Sequence, residues 1–348
     1  MKIVHINFSL ETGGTETMLV DILNEQCSQA DVHFVLINDQ FDAQLLAGID
    51  SRVTIWRIRR PGKSRNPFYP GKLNWLLHRL RPTVVHCHNH QIARLLWGRT
   101  GQRYLTLHTI QTPIDHLGRY DKLFAISQTV RQDVWQRASV EAQLNYNGVN
   151  TNRIQHRTVY CADQPFRLVQ ISRLEHQIKG QHILLNALHQ LVYEDGMTRL
   201  HVDFVGEGES RAYLEQLTSD LQLTDHVSFT GLKTRTELYQ SLQHYDLLIQ
   251  PSLVEGFGLT VAEGMAAGVP VIVSNIDGPM ELIDNDRYGY SFRSGDAGHL
   301  ADRIRFLIAN YDSLSVRTIA TQARQYARDM FDVRQTAKRY LEHYHQPT

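Results

Sequence analysis

The sequence predicts an α/β protein of two doubly wound, parallel-sheet domains in tandem, and three observations predict it. Short apolar runs alternate with longer amphipathic ones, a rhythm that builds a parallel sheet with helices on both faces. That rhythm restarts after Asn147-Gly148-Val149-Asn150 and a polar stretch to Pro165. At 348 residues the chain is too long for one ordinary α/β domain and comfortable for two, each able to bury its own core.

In the first half, Lys2 to Asn7, Asp31 to Ile37, Val53 to Ile58, Thr83 to His86, Tyr104 to Leu107 and Leu123 to Ile126 read as buried strands. Between them, Thr15 to Cys27 puts Met18, Leu19, Ile22 and Leu23 on one helical face, and Pro82 ends a helix over Leu73 to Leu80. In the second half the strands are Phe166 to Ile171, His201 to Val205, Val227 to Phe229, Asp246 to Gln250 and Pro270 to Val273. Helical patterns over Ala297 to Ala309, Val316 to Met330 and Val333 to His343 close the chain. The expected organisation is a Rossmann-like domain over 1–155, a second over 156–330, and a C-terminal helix in 331–348 that crosses back to the first. Two such domains facing across a cleft carry ligand crevices at the carboxyl ends of their strands.

Apolar residues make up 42% and charged residues 21% of the chain, ordinary values for a globular protein. No stretch approaches the roughly eighteen continuous apolar residues of a membrane span. Met1 to Ile6 enters a strand pattern directly, without the leader of a secretory signal, so a cytoplasmic location is expected. Cys27, Cys87 and Cys161 are odd in number and scattered, which supports neither a disulfide framework nor a Cys-x-x-Cys metal site. The net charge of zero hides an asymmetry: residues 1–150 hold 17 Lys and Arg against 12 Asp and Glu. No acidic residue lies between Ser51 and Ile114, a segment that carries Arg52, Arg57, Arg59, Arg60, Lys63, Arg65, Lys72, Arg79, Arg81, Arg94, Arg99 and Arg103. Something anionic is expected to dock there.

The most informative stretch is Glu255-Gly256-Phe257-Gly258-Leu259-Thr260 followed by Val261-Ala262-Glu263-Gly264-Met265-Ala266-Ala267-Gly268-Val269-Pro270. It follows a strand and opens a helix at about Leu259. Free N–H groups and the helix dipole favour a phosphate there, and Gly256 and Gly258 remove side chains that would block it. Glu255 would reach the sugar end of such a ligand, and Glu263, two turns on, could accept two hydrogen bonds from a ribose diol. The bland alternative is a Gly-rich strand-to-helix turn with a small-residue helix packed on the sheet. The Glu-x(7)-Glu spacing within these words resembles the signature of family 4 retaining glycosyltransferases of the GT-B fold.

Other matches follow in the family's order along nearly the whole chain. Gly13-Gly14-Thr15-Glu16 resembles its glycine loop, which implies that the Gly14 N–H meets the donor diphosphate. His108, in Leu105-Thr106-Leu107-His108-Thr109, stands where the family keeps a histidine against the donor sugar. Ser172-Arg173-Leu174 and Lys179-Gly180 resemble two elements whose cations clamp the diphosphate, with Ser172 replacing the family's glycine. Gly231 and Leu232, in Phe229-Thr230-Gly231-Leu232, lie where the nucleobase packs. Val205-Gly206-Glu207-Gly208 resembles a family turn rather than a dinucleotide fingerprint, because Arg211 replaces the third glycine. His86-Cys87-His88-Asn89-His90 has the composition of a metal cluster. No carboxylate completes it, and it reads as a non-metal strand end.

The resemblance implies a metal-independent, cofactor-free retaining hexosyltransferase. Its catalytic residues would be His108, Arg173, Lys179 and Glu255, and its donor-binding residues Gly14, Gly231, Leu232, Gly256, Phe257, Gly258, Leu259, Thr260 and Glu263. The expected donor is a nucleotide sugar, UDP favoured over GDP, and the expected acceptor a saccharide or lipid-linked saccharide in cell-surface polysaccharide or lipopolysaccharide synthesis. Segment 52–103, with Trp56, Phe68, Tyr69 and Trp75 interleaved, suits an anionic inner-membrane surface. Nucleic-acid binding through that segment is the electrostatic rival. A non-catalytic nucleotide-sugar binder and an epimerase of the same fold are the alternatives to transfer.

Overall fold

The computed structural model describes residues 1–11, 13–161 and 165–345, so the last three positions of the expected C-terminal segment lie outside it. The chain divides into two compact units, Met1–Gly148 with Asp332–Thr348, and Val149–Phe331.

The first unit runs β1 (Lys2–Asn7), α1 (Gly14–Gln26), β2 (Asp31–Asn38), α2 (Ala43–Ala47), β3 (Thr54–Arg60), α3 (Phe68–Leu80), β4 (Val84–Cys87), β5 (Gln102–Leu107), β6 (Lys122–Ala125), α4 (Gln128–Ala138) and the two-residue edge strand β7 (Gln143–Leu144). All pair in parallel, in the order β3-β2-β1-β4-β5-β6-β7. Met18, Leu19, Ile22 and Leu23 are all buried, as the helical spacing of α1 predicts. With Phe34 and Leu36 of β2, Leu19 and Leu23 fill one core. α3 begins five residues before the expected Leu73, because Pro70 sits in its first turn, where a missing N–H costs nothing. Arg81 ends it in the left-handed conformation. Chain order reverses between β1 and β4, so the loops after these strands flank the switch point of the sheet.

The second unit runs β8 (Phe166–Ile171), α5 (His176–Lys179), α6 (Gln181–His189), β9 (Leu200–Val205), α7 (Arg211–Asp220), β10 (Val227–Gly231), α8 (Arg235–Ser241), β11 (Leu247–Gln250), α9 (Leu259–Ala266), β12 (Val271–Ser274), α10 (Asp277–Leu282), β13 (Tyr290–Phe292), α11 (Ala297–Ala309) and α12 (Leu314–Met330). Its parallel order is β10-β9-β8-β11-β12-β13, with the switch between β8 and β11. Side-chain caps start the helices where the sequence supplies them: Thr234 and Glu237 form a reciprocal capping box on α8, and Asp296 and Ser313 cap α11 and α12. The core packs Leu168, Phe204 and Ile249, which share one face of the sheet, against Leu184 of α6 and Ile304 of α11.

The last helix, α13 (Val333–His345), belongs to the first unit and lies along α1. Tyr340 and Tyr344 of α13 are buried. No helix among the described residues is long and apolar enough to cross a membrane.

Candidate functional site

In the second unit the candidate residues follow β8 and β11, the two strands that flank its switch point. β8 feeds Arg173 and α5. The Gln181 side-chain amide donates to the Arg173 carbonyl at 2.8 Å, and the Gln170 amide donates to the Lys179 carbonyl at 2.8 Å. Both bonds are partly buried, so the backbone under the two cations is fixed from beneath. Gly180 has φ +68°, and a side chain there would start 1.9 Å from the Pro251 carbonyl oxygen. Only glycine lets α5 approach the end of β11 this closely. The turn expected at Gly206 and Gly208 is a packing device of the same kind. Side chains there would meet the Ser172 oxygen at 2.0 Å and the Leu174 oxygen at 2.4 Å.

The close approach delivers Lys179 Nζ to Glu255 Oε2 at 2.7 Å, with both side chains about four-fifths buried. Arg173 is 67% exposed and leans on Glu175 at 2.9 Å, which leaves most of its guanidinium toward solvent. The loop from Glu255 rests on α10, where a side chain at Gly278 would meet the Glu255 oxygen at 2.6 Å. Gly258, at φ +105°, is the N-cap of α9 and offers no side-chain cap. The first-turn amides, at Leu259 and Thr260, have no intrahelical acceptor. The Thr260 hydroxyl donates to Gln250 Oε1 at 3.2 Å. A cation, an uncapped helix N-terminus and a paired carboxylate thus meet at one end of one sheet, an arrangement suited to an anion that gains charge.

The other expected residues of this unit fall as follows. Glu263 is buried on α9. Gly231 adopts φ +73° at the end of β10, where its carbonyl accepts from the Gly206 amide at 2.9 Å, and Leu232 beside it is exposed. The Phe257 ring is buried edge-on against Phe331 at 5.5 Å between centroids. It is a core side chain, and any ligand contact at this position passes through its backbone.

In the first unit Gly14 opens α1, whose N-cap, Gly13, has extended backbone and no side-chain cap. The Glu16 carboxylate already lies by that N-terminus, 2.6 Å from where a Gly13 side chain would begin. His108 follows β5 and joins a buried group of histidines. His5 on β1 pairs in register with His86 on β4, and the rings of His86 and His88 stack at 4.7 Å. The sequence reading of His86 to His90 as a non-metal strand end did not include His5, which the neighbouring strand brings in. One nitrogen of each of His5, His86 and His88 lies within 4.8 Å of the others. His90 instead starts a short helical turn capped by Asn89.

Every nitrogen of these three rings has a neutral hydrogen-bonding partner. His5 Nδ1 meets His88 Nε2 at 3.0 Å, and His5 Nε2 meets the Gln26 oxygen at 2.8 Å. His86 Nε2 meets the Thr106 hydroxyl at 2.8 Å, its Nδ1 bonds the Tyr344 hydroxyl, and His88 Nδ1 meets His108 Nε2 at 3.4 Å. Burial lowers His5 and His108 to about 4 and His86 and His88 well below their ordinary value, so all four rings are neutral near pH 7.

The fold and these sites place the chain among the doubly wound α/β proteins whose ligands bind at sheet switch points. Within that class it belongs to the glycosyl transferases group 1 family, whose model matches residues 153–329; the Glycosyltransferase Family 4 model matches 12–153. It is 24% identical over 325 residues, 88% of each chain, to the lipopolysaccharide core biosynthesis glycosyltransferase LpsD of Rhizobium meliloti. It is 26% identical over 202 residues, 54% of this chain and 49% of the relative, to the amylovoran biosynthesis glycosyltransferase AmsK of Erwinia amylovora. The chain spans about half the length of several such curated relatives. Among solved structures, Anabaena Alr3699/HepE in complex with UDP and glucose superposes with a TM-score of 0.82 at 23% identity, covering 99% of both chains. The fold class is therefore that of the GT-B glycosyltransferases.

Proposed function

We propose that this chain is a metal-independent, retaining glycosyltransferase that moves a hexosyl group from a UDP-sugar to a hydroxyl of a saccharide or lipid-linked saccharide. One arrangement carries the reading: Lys179 paired with Glu255 in the loop that opens the uncapped α9, at the switch point of the six-stranded sheet. As the glycosidic bond breaks, charge grows on the β-phosphate. Fixed cations and amides stabilise that state more than the ground state. In this reading Arg173, Lys179 and the amides around Gly256, Gly258, Leu259 and Thr260 replace a divalent metal. Glu263 holds the ribose, Gly231 and Leu232 pack the base, and Glu255 positions the sugar. The family resemblance assigns His108 to the donor sugar and Gly14 to the diphosphate. Complexes of HepE with UDP and glucose favour a uridine donor, and the names of LpsD and AmsK favour a cell-surface polysaccharide or lipopolysaccharide product.

The test is a thermal-shift panel of UDP, GDP, ADP and their sugar conjugates on the wild type and Glu263→Ala. UDP-sugars are expected to raise the melting temperature of the wild type alone; no shift from any nucleotide overturns the donor reading. Product stereochemistry by NMR, with and without chelator, tests the rest. An inverted product or a strict manganese requirement overturns it.

The acceptor side of the proposal includes contact with an anionic membrane. Phe68, Trp75 and Trp97 are exposed around α3, Arg79 lies 5.4 Å over the Trp75 ring, and Gly71 brings α3 close to Trp97. Arg52, Arg57 and Arg99 are paired with Asp50, Asp39 and Asp121, so fewer charges are free than the sequence suggests. Retention on phosphatidylglycerol liposomes at low salt, lost in Trp75→Ala/Trp97→Ala, is the expected result; no retention removes the membrane from the proposal.

A further inference from the structure

Three neutral imidazoles and one amide form a continuous chain in the first unit: Gln26 Oε1 to His5 Nε2 at 2.8 Å, His5 Nδ1 to His88 Nε2 at 3.0 Å, and His88 Nδ1 to His108 Nε2 at 3.4 Å. A neutral imidazole has one donor and one acceptor nitrogen. The direction of the bond at one end of such a chain therefore dictates the direction of every other. The Gln26 oxygen accepts, and its amide nitrogen is buried without a hydrogen-bond partner among the described residues. His5 then carries its proton on Nε2 and accepts on Nδ1. His88 donates from Nε2 and accepts on Nδ1, and His108 donates from Nε2. The remaining nitrogen, His108 Nδ1, is buried with no partner among the described residues. The reversed order would put an N–H there without an acceptor, which folded proteins avoid more strictly than a bare lone pair.

We infer that His5 and His88 are positioning residues that hold His108 in the Nε2–H tautomer, so that its Nδ1 is a preformed acceptor for a hydroxyl of the donor sugar. The sugar hydroxyl rests on the transferase reading above; the tautomer does not. A sugar hydroxyl donating to Nδ1 would complete the chain, ending it on a substrate group instead of an orphaned atom. Discrimination follows, because a hydroxyl that must donate is read differently from an ether or a fluorine at the same carbon.

Nitrogen-15 NMR of uniformly labelled protein, without donor, reads the tautomer from the two-bond couplings of each ring, with His108→Asn identifying the signal. The expected wild-type pattern is the pure Nε2–H form. In His88→Leu the His108 signal is expected to move toward a mixture, and in His88→Asn, whose amide oxygen can accept again, to return. Gln26→Met, at the far end of the chain, is the second variant should His88→Leu not fold; it too is expected to mix the two forms. An Nδ1–H pattern in the wild type, or a pattern unchanged in the folded His88→Leu or Gln26→Met, overturns the inference. The sugar half is tested by affinity: His88→Leu should weaken UDP-glucose roughly three- to tenfold and leave UDP alone unchanged. Equal loss for both overturns that half, and a wild type that binds neither overturns the donor reading while leaving the tautomer result standing.

Discussion

In the proposed mechanism, Lys179 and Glu255 are the pair on which the chemistry turns. Removing the cation in Lys179→Ala leaves Glu255 in a site four-fifths shielded from water and takes away charge aimed at the leaving group. The expected loss of transfer rate is about 100- to 1,000-fold, measured with UDP-sugar and acceptor, and a loss under threefold would contradict the assignment. The histidines set a second behaviour at this scale. Their ordinary value of 6.5 holds in the unfolded chain, whereas His5 and His108 stand at about 4 when folded. Between those values the unfolded chain binds more protons, so stability is present above pH 6.5 and is lost as pH falls toward 4. The slope is up to roughly 1.4 kcal/mol per pH unit for each histidine. Urea midpoints at about pH 7 and pH 5 check this; a flat profile would mean that the rings are hydrated.

At the scale of single elements, α5 and α8 make contrasting tests. Gly180→Ala places a side chain at φ +68° against the Pro251 carbonyl, so the expected cost is about 2 kcal/mol or more, with Lys179 displaced and nucleotide affinity reduced. Thr234→Ala removes the capping box of α8 at about 1 kcal/mol and should leave nucleotide affinity unchanged; chemical denaturation and a binding isotherm separate the two. The elements also show what the chain order discloses. Every expected strand is found within three residues of its predicted ends, since apolar runs between turns are written locally. β7 and β13 escape that reading because strands of two and three residues are too short for a period. Glu255 and Gly258 stand out in the sequence because they open one helix, and Lys179 and Gly180 because they resemble a short family element; the meeting of Lys179 with Glu255, 76 residues on, was not legible. His5 was not, because its meeting with His86 and His88 depends on β1 lying beside β4, across some eighty residues of sequence. Phe257 was legible as part of a loop, but the direction of its ring was not.

For the whole molecule, the two units should answer differently to ligand and to truncation. Arg173, Lys179, Glu255 and α9 all lie in the second unit, so calorimetry with UDP is expected to raise that unit's transition. Removal of residues 332–348 strips Tyr340 and Tyr344 from Thr106 and His86 and should abolish the first unit's transition. A truncated protein that keeps both transitions would show that α13 is dispensable. The interrupted order of the first unit also has a meaning during synthesis. Residues 149–331 leave the ribosome before α13 does, so the unit whose strands are made before the other's is the one that finishes folding last. Until then His86 lacks its tyrosine cover, and a nascent or prematurely stopped chain carries an unsealed sheet face that a chaperone or protease can recognise.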